Sequence, residues 1–206
     1  ALYIGAGRAR NVLVVASEIS TRALPWQDDP ATAALFGDGA AAFVISAERP
    51  GALRVRDVGL ETWAGGYDYC ALPAGGTRYD FHTDREAFAR NAFFRMDGHA
   101  LFKLTRMKVP GFITRLLDRA GWKQGDVDLV IPHQASPLAL EHMIRKCGFS
   151  REQVVSTVET TGNLVAASIP MTLDTARREG RVRPGGRILL IGTSAGVSIG
   201  GATLEA

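Results

Sequence analysis

Four residues in this sequence have the chemistry and setting for a reactive site. His133 stands directly after the apolar run "DLVIP", at the kind of strand end where open α/β sheets place their ligand crevices. Asn163 follows Gly162 in "TTGNLVAASIP" and precedes a segment rich in small residues, so its amide could direct N–H donors into a site. Ser194 lies in "GTSAG", residues 192–196, which matches the G-x-S-x-G turn that exposes a hydrolase nucleophile. Cys70 would complete a Cys/His/Asn set with His133 and Asn163.

Each also has an ordinary structural reading. A histidine at a strand end can simply hydrogen-bond there, and asparagine is a common capping and turn residue. A serine elbow needs a helix after the serine, yet "VSIGGATLEA" alternates like a strand. The hydrolase order is Ser, acid, His, whereas His133 precedes Ser194. The turn therefore reads better as tight backbone whose N–H groups face a ligand oxygen, and without a following helix it makes a poor phosphate loop. Cys70 sits in a Gly-rich loop rather than at a helix N-terminus, one of the settings that lower a thiol pKa. Cys147 falls on the apolar side of a helical pattern and reads as core.

The elements that must position these residues follow from periodicity. "NVLVVASEI" and "AAAFVIS" are short, nearly continuous apolar runs and read as buried strands. "GALRVRDVGLETW" alternates and reads as a strand over 51–63, followed by a long Gly- and aromatic-rich loop. From Gly98 the period becomes helical, with Val109, Phe112, Ile113, Leu116, Leu117 and Ala120 on one face. "DVDLVIP" is a buried strand. Ser136 then reads as an N-cap with Pro137 at the first helical position, and Gly148 as the stop. "QVVSTVE" reads as a strand, "AASIPMTLDTARREG" as a helix, and "GGRILLIG" and "VSIGGATLEA" as a closing strand pair. Alternation of strand and helix makes the class α/β.

Composition narrows the function. The chain has 206 residues, 46% hydrophobic and 22% charged, with a formal charge of +3, enough apolar content for a packed core. No basic stripe with interleaved aromatics argues for nucleic acid, and the mild positive charge suits an acidic small molecule or carrier. Two cysteines form neither a disulfide framework nor a metal spacing. No apolar run approaches membrane-spanning length, no signal-peptide pattern opens the chain, and a reducing cytoplasm is the simplest home. The opening "ALYIGAGRAR" reads as the end of a helix, so the chain is expected to begin inside an element.

Taken in order, "ALFGDGAAAFVI", "IPHQAS", "TTGNLVAASIP" and the terminal "GTSAGVSIGGATLEA" resemble the ketoacyl synthase III group of the thiolase superfamily, along the whole chain. The resemblance implies a layered α-β-α-β-α fold of two similar halves. Residues 1–50 would be the end of the first half and residues 51–206 the whole second half. It implies a decarboxylating condensation of an acyl-coenzyme A primer with a malonyl extender on acyl carrier protein. The acyl group would be carried by a cysteine expected before Ala1, not by Cys70. His133 and Asn163 would hold the enolate, and the backbone N–H of Ala195 the oxyanion. No metal or resident cofactor is implied, coenzyme A thioester being the substrate, and the group usually forms homodimers.

The sequence departs from the group's pattern at several places. Gln134-Ala135-Ser136 stands where Gln-Ala-Asn is common, Leu138 where many members carry a carrier-contacting arginine, and about Pro30 where many carry an arginine near the adenine. The last turn is "TSAG" where many have a glycine run. Alternatives are a divergent relative that joins acyl groups or acylates another nucleophile, a non-catalytic fragment, and, outside the group, a serine hydrolase at Ser194.

Overall fold

The computed structural model describes residues 1–48 and 53–206. The expected division between residues 50 and 51, and the first two residues of the strand expected at 51–63, lie outside the described residues. In chain order the elements are α1 (Leu2–Gly5), β1 (Asn11–Glu18), α2 (Pro30–Ala33), β2 (Gly39–Ser46), β3 (Arg54–Thr62), β4 (Cys70–Ala71), α3 (Arg85–Arg90) and β5 (Arg95–Met96). They continue with α4 (Gly98–Ala120), β6 (Leu129–Pro132), α5 (Pro137–Cys147), α6 (Val158–Thr161), α7 (Ser168–Arg178), β7 (Arg187–Ser194) and β8 (Ser198–Glu205).

The main sheet has the order β3-β8-β7-β6. β6 runs parallel to β7, and β8 runs antiparallel to both its neighbours. Successive side chains on these strands point to opposite faces; both faces are buried along β6, β7 and β8, whereas the edge strand β3 has no buried residue. Val130, Leu189, Ile191 and Ile199 join Phe112, Ile113, Leu116 and Leu117 of α4 and Ile144 and Cys147 of α5 in one core. Leu129, Ile131, Ile188 and Leu204 join Ala176 of α7, with Ile169 and Leu173 packed alongside, in the other. Full burial of side chains such as Phe112 and Leu116 stabilises by roughly 1.5–3 kcal/mol each. Beyond α7 lies the β1–β2 ribbon, paired antiparallel from Asn11↔Ser46 to Glu18↔Gly39; Met171 of α7 and Leu164 crowd Gly39. The described residues thus form four successive layers, helix, sheet, helix and sheet.

Local chemistry sets the helix ends, the expected Ser136 cap and Gly148 stop among them. The Asp97 side chain accepts the Ala100 N–H at the start of α4, and Ser136 Oγ accepts the Ala139 N–H at the start of α5; each such cap is typically worth about 1 kcal/mol. Gly121 and Gly148 close the two helices in the left-handed region, at φ 72° and 69°. Among the described residues no helix is long and apolar enough to cross a membrane.

Two expectations fail. "QVVSTVE" is not a strand: it contributes a single parallel bridge, Val130↔Val154, and turns into α6 at Val158. The reason is a side chain, since Gln134 Oε1 accepts the N–H groups of both Thr157 and Val158 and so starts a helical turn there. The apolar residues of β1 and β2 are also not uniformly buried: Leu13, Val15, Phe43 and Val44 are exposed. A strand buries both faces only when elements cover both, and α7 with the segment before it covers one.

Candidate active site

β6 is buried along its whole length and pairs Pro132 with Ile191. The last ladder bond is His133 N–H to Ile191 O at 2.8 Å. After it the chain turns within three residues into the Ser136 cap, which leaves His133 at the sheet's edge beside Gly192. A Cβ on Gly192 would lie 3.6 Å from His133 Cβ and 3.0 Å from Ile169 Cδ1, so the glycine keeps room next to the histidine. His133 is partly open to a cleft of about 80 Å³ between α4 and α5. Burial lowers its pKa to about 4. The imidazole is therefore neutral at pH 7, one nitrogen donating and the other accepting.

Asn163 is held by backbone before its side chain is considered. Its N–H donates to Leu35 O at 2.7 Å, and its carbonyl accepts from Gly37 N–H at 3.0 Å. Two glycines allow the two segments to approach this closely. A Cβ on Gly37 would sit 2.2 Å from Thr161 O, and Gly162, at φ +67°, faces the Gly37 N within 3.1 Å of its own built Cβ. The Asn163 amide is oriented by one bond, Val165 N–H to Oδ1 at 2.9 Å. Because a backbone N–H can only donate, the oxygen must face it, and Nδ2 is left with no partner among the described residues. Val165 pays for this turn with φ 50°, a strained value for a β-branched residue.

The remaining candidates separate cleanly. Ala195 forms the exposed tip of the β7–β8 hairpin, and its N–H has no partner among the described residues. Ser194 is the last residue of β7, pairs with Ser198, and among the described residues its hydroxyl bonds only its neighbour's carbonyl, Ala195 O at 3.2 Å. A strand follows it where a hydrolase elbow needs a helix, so the serine-nucleophile alternative is not supported. Cys70 sits in β4 opposite Met96, away from the walls of the His133 cleft. Its thiol is pushed up by burial and by the charge of Asp97. Cys147 is buried against α4, and burial raises its thiol to about 11. Neither thiol has the setting of a nucleophile.

Sequence reasoning missed the cleft itself and one side chain beside it. The cleft runs from His133 between Phe102, Val109 and Pro110 of α4 and Ala139, Leu140 and Met143 of α5. Pro110 lacks an N–H, so the Arg106 carbonyl loses its usual helical partner at this wall. Arg106 and Lys146 stand at its rim, exposed and outside any ion pair among the described residues. His142 also lines it, with Nε2 buried and unpartnered and its ring edge-on to Phe102 at 4.6 Å. Burial, then Lys146, Arg145 and Arg106, lower the His142 pKa. The i, i+3 and i+4 spacing of Phe102, Arg106, Val109 and of Ala139, His142, Met143, Lys146 was the available signal. Gln134, fully buried, is the missed side chain.

Residues 1–62 match the family described as 3-oxoacyl-[acyl-carrier-protein (ACP)] synthase III, and residues 117–206 match its C-terminal domain. The chain is 36% identical over 202 residues to beta-ketoacyl-[acyl-carrier-protein] synthase III 3 of Streptomyces coelicolor, covering 98% of this chain and 60% of that protein. It is 37% identical over 201 residues to beta-ketoacyl-[acyl-carrier-protein] synthase III of Bordetella petrii, covering 96% and 57%. The crystal structure of 3-oxoacyl-(acyl carrier protein) synthase III from Pseudomonas aeruginosa superposes with a TM-score of 0.84 at 33% identity, over 99% of this chain and 60% of that one. The chain thus spans about 60% of the length of the relatives it matches. The sheet order, the layers and the two matched segments agree with the expected thiolase-like fold, and the chain belongs to the 3-oxoacyl-[acyl-carrier-protein] synthase III family.

Proposed function

We propose that this chain is part of a condensing acyltransferase that joins an acyl group from an acyl-coenzyme A primer to a malonyl thioester carried by acyl carrier protein. The observation that carries this reading is a pair of neutral donors: His133, uncharged at the end of β6, and Asn163, whose only free amide atom is Nδ2. The acyl group rides on a cysteine thiolate. Neither Cys70 nor Cys147 has the setting for it, so the reading requires a nucleophile from outside residues 1–206. Residues 1–50 then belong to the first half of the enzyme and 51–206 to the second. Two antiparallel eight-residue strand pairs, β1–β2 and β7–β8, support this division as equivalent parts of two halves.

In the condensation the bond between the malonyl carboxylate and C2 breaks. Carbon dioxide leaves, and the electron pair becomes the enolate, with its charge on the thioester oxygen. The His133 N–H and the Asn163 Nδ2–H donate to that oxygen, strengthening as charge develops. The enolate carbon then attacks the acyl-cysteine carbonyl, the new carbon–carbon bond forms, and the cysteine sulfur leaves as thiolate. The Ala195 N–H donates to the oxyanion of that step. No resident cofactor enters these steps, coenzyme A leaving as the product of loading.

The apolar lining of the cleft suits an uncharged chain next to His133, and the cations Arg106, Arg145 and Lys146 suit an acidic carrier. Leu138, exposed where relatives of this family often carry arginine, shifts that docking onto these three. A homodimer and a cytoplasmic setting go with the same reading; exposed apolar faces on β1 and β2 and two unpaired thiols support them.

The test is made in the complete protein. His133→Ala and Asn163→Ala should each lower carbon dioxide release from malonyl substrate by roughly 100- to 1000-fold, while Asn163→Ala still forms the acyl-enzyme seen by mass spectrometry. Normal release in Asn163→Ala would reduce Asn163 to a turn residue.

A further inference from the structure

Gln134 is a polar side chain with no exposed surface, and it uses every hydrogen-bonding site it has. Its Nε2 donates to Pro132 O at 2.8 Å and to Val155 O at 3.2 Å. Its Oε1 accepts from Thr157 N–H at 2.8 Å and from Val158 N–H at 3.1 Å. One donor reaches the end of β6, one residue from His133, and the other reaches the 153–157 segment. The acceptors hold the first turn of α6, a single helical turn that runs directly into Gly162 and Asn163.

We propose that Gln134 is a positioning residue that fixes the spacing of His133 and Asn163 by tying the strand that ends in one to the helical turn that ends in the other. Two features make a side chain the right device. β6 and the 153–157 segment share only the Val130↔Val154 bridge and the bonds around it, so their ends would otherwise be free to splay. The amide also offers two donors and two acceptors in one plane, which no apolar residue of that volume can replace. A fully satisfied buried amide rigidifies what it joins. Asn163 is tied from the other side by Leu35 and Gly37, so Gln134 supplies the tie toward His133. The inference rests on the condensing reading for what the pair does, but not for how the pair is held.

The experiment uses Gln134→Met in the complete protein, a change of similar volume that removes all four bonds. Four quantities are measured: carbon dioxide release, acyl-enzyme formation, the thermal midpoint, and the His133 titration by histidine-selective NMR. A loss of register of about 1 Å typically costs around 100-fold in rate. Carbon dioxide release should fall by about that factor, while loading falls by only a few-fold. The His133 titration should move up from about 4 toward its ordinary 6.5 as water reaches the loosened ring. A folded variant with normal release and an unmoved titration overturns the proposal. So does one whose only change is a lower thermal midpoint, since that is a purely structural role. Should Gln134→Met not fold, Gln134→Glu decides. It keeps acceptors toward Thr157 and Val158 but sets carboxylate oxygen against the Pro132 and Val155 carbonyls, so the same split is expected and an unmoved titration overturns the proposal. A wild-type protein that releases no carbon dioxide would sink the condensing reading alone, with the His133 titration still deciding the role of Gln134.

Discussion

At pH 7 the His133 ring is uncharged because its surroundings make the imidazolium costly, and that cost can be measured. Its pKa is lowered from 6.5 to about 4 by burial. Between these values the unfolded chain binds a proton that the folded one excludes, so stability rises with pH across the window and falls as pH drops through it. His133→Gln removes this linkage. The decline of the thermal midpoint between about pH 6.5 and 4 should therefore be shallower in the variant than in the wild type. Equal slopes would mean that the ring is not desolvated. The neutral form also suits the role proposed for it, since a donor facing an enolate needs an N–H and no full charge. Asn163 reaches a comparable state differently, through one bond at Val165 that leaves a single way for the amide to point.

The segment around Asn163 depends on how closely two backbones cross. Asn163 N–H to Leu35 O and Gly37 N–H to Asn163 O bind the turn to the "FGDG" segment. Only glycine fits at residue 37, where a Cβ would lie 2.2 Å from the Thr161 carbonyl oxygen. Gly37→Ala must push that carbonyl away and lengthen both bonds. A backbone shift of this kind typically costs about 1–3 kcal/mol. The variant should melt lower and release less carbon dioxide, with acyl-enzyme formation less affected. Unchanged melting and unchanged release would show that the crossing has slack. The same geometry explains why α6 exists: the chain must leave the sheet at Val155, turn once, and arrive at Gly162 on the β2 side.

Across the whole molecule, cations stand at the rim of the cleft that opens at His133. The formal charge is only +3, so long-range attraction is modest and the local charge at the rim matters more. Replacing both Arg106 and Lys146 by Glu should raise the KM for a carrier-protein thioester by roughly tenfold at low salt. Turnover of a small, uncharged thioester should hardly change, and high salt should narrow the difference. An equal loss with both substrates would place these residues in the cleft's structure, not in carrier recognition.

Periodicity and caps were enough to determine the class and most of the elements, because each is a local property, and motif order was enough to single out His133, Asn163 and Ala195 as candidates. The Ser136 cap, the Gly148 stop and the alternating strands require only neighbours along the chain to be read. What was not legible depends on groups far apart in sequence. The strand expected at 153–159 fails because Gln134, about twenty residues earlier, takes the N–H groups that a strand would have paired. The partial exposure of β1 and β2 depends on which elements cover them, and the cleft exists only where α4 and α5 part. The neutrality of His133 is of the same kind. Its residue type would take up a proton near pH 6.5, and burial in the folded chain keeps the ring uncharged well below that.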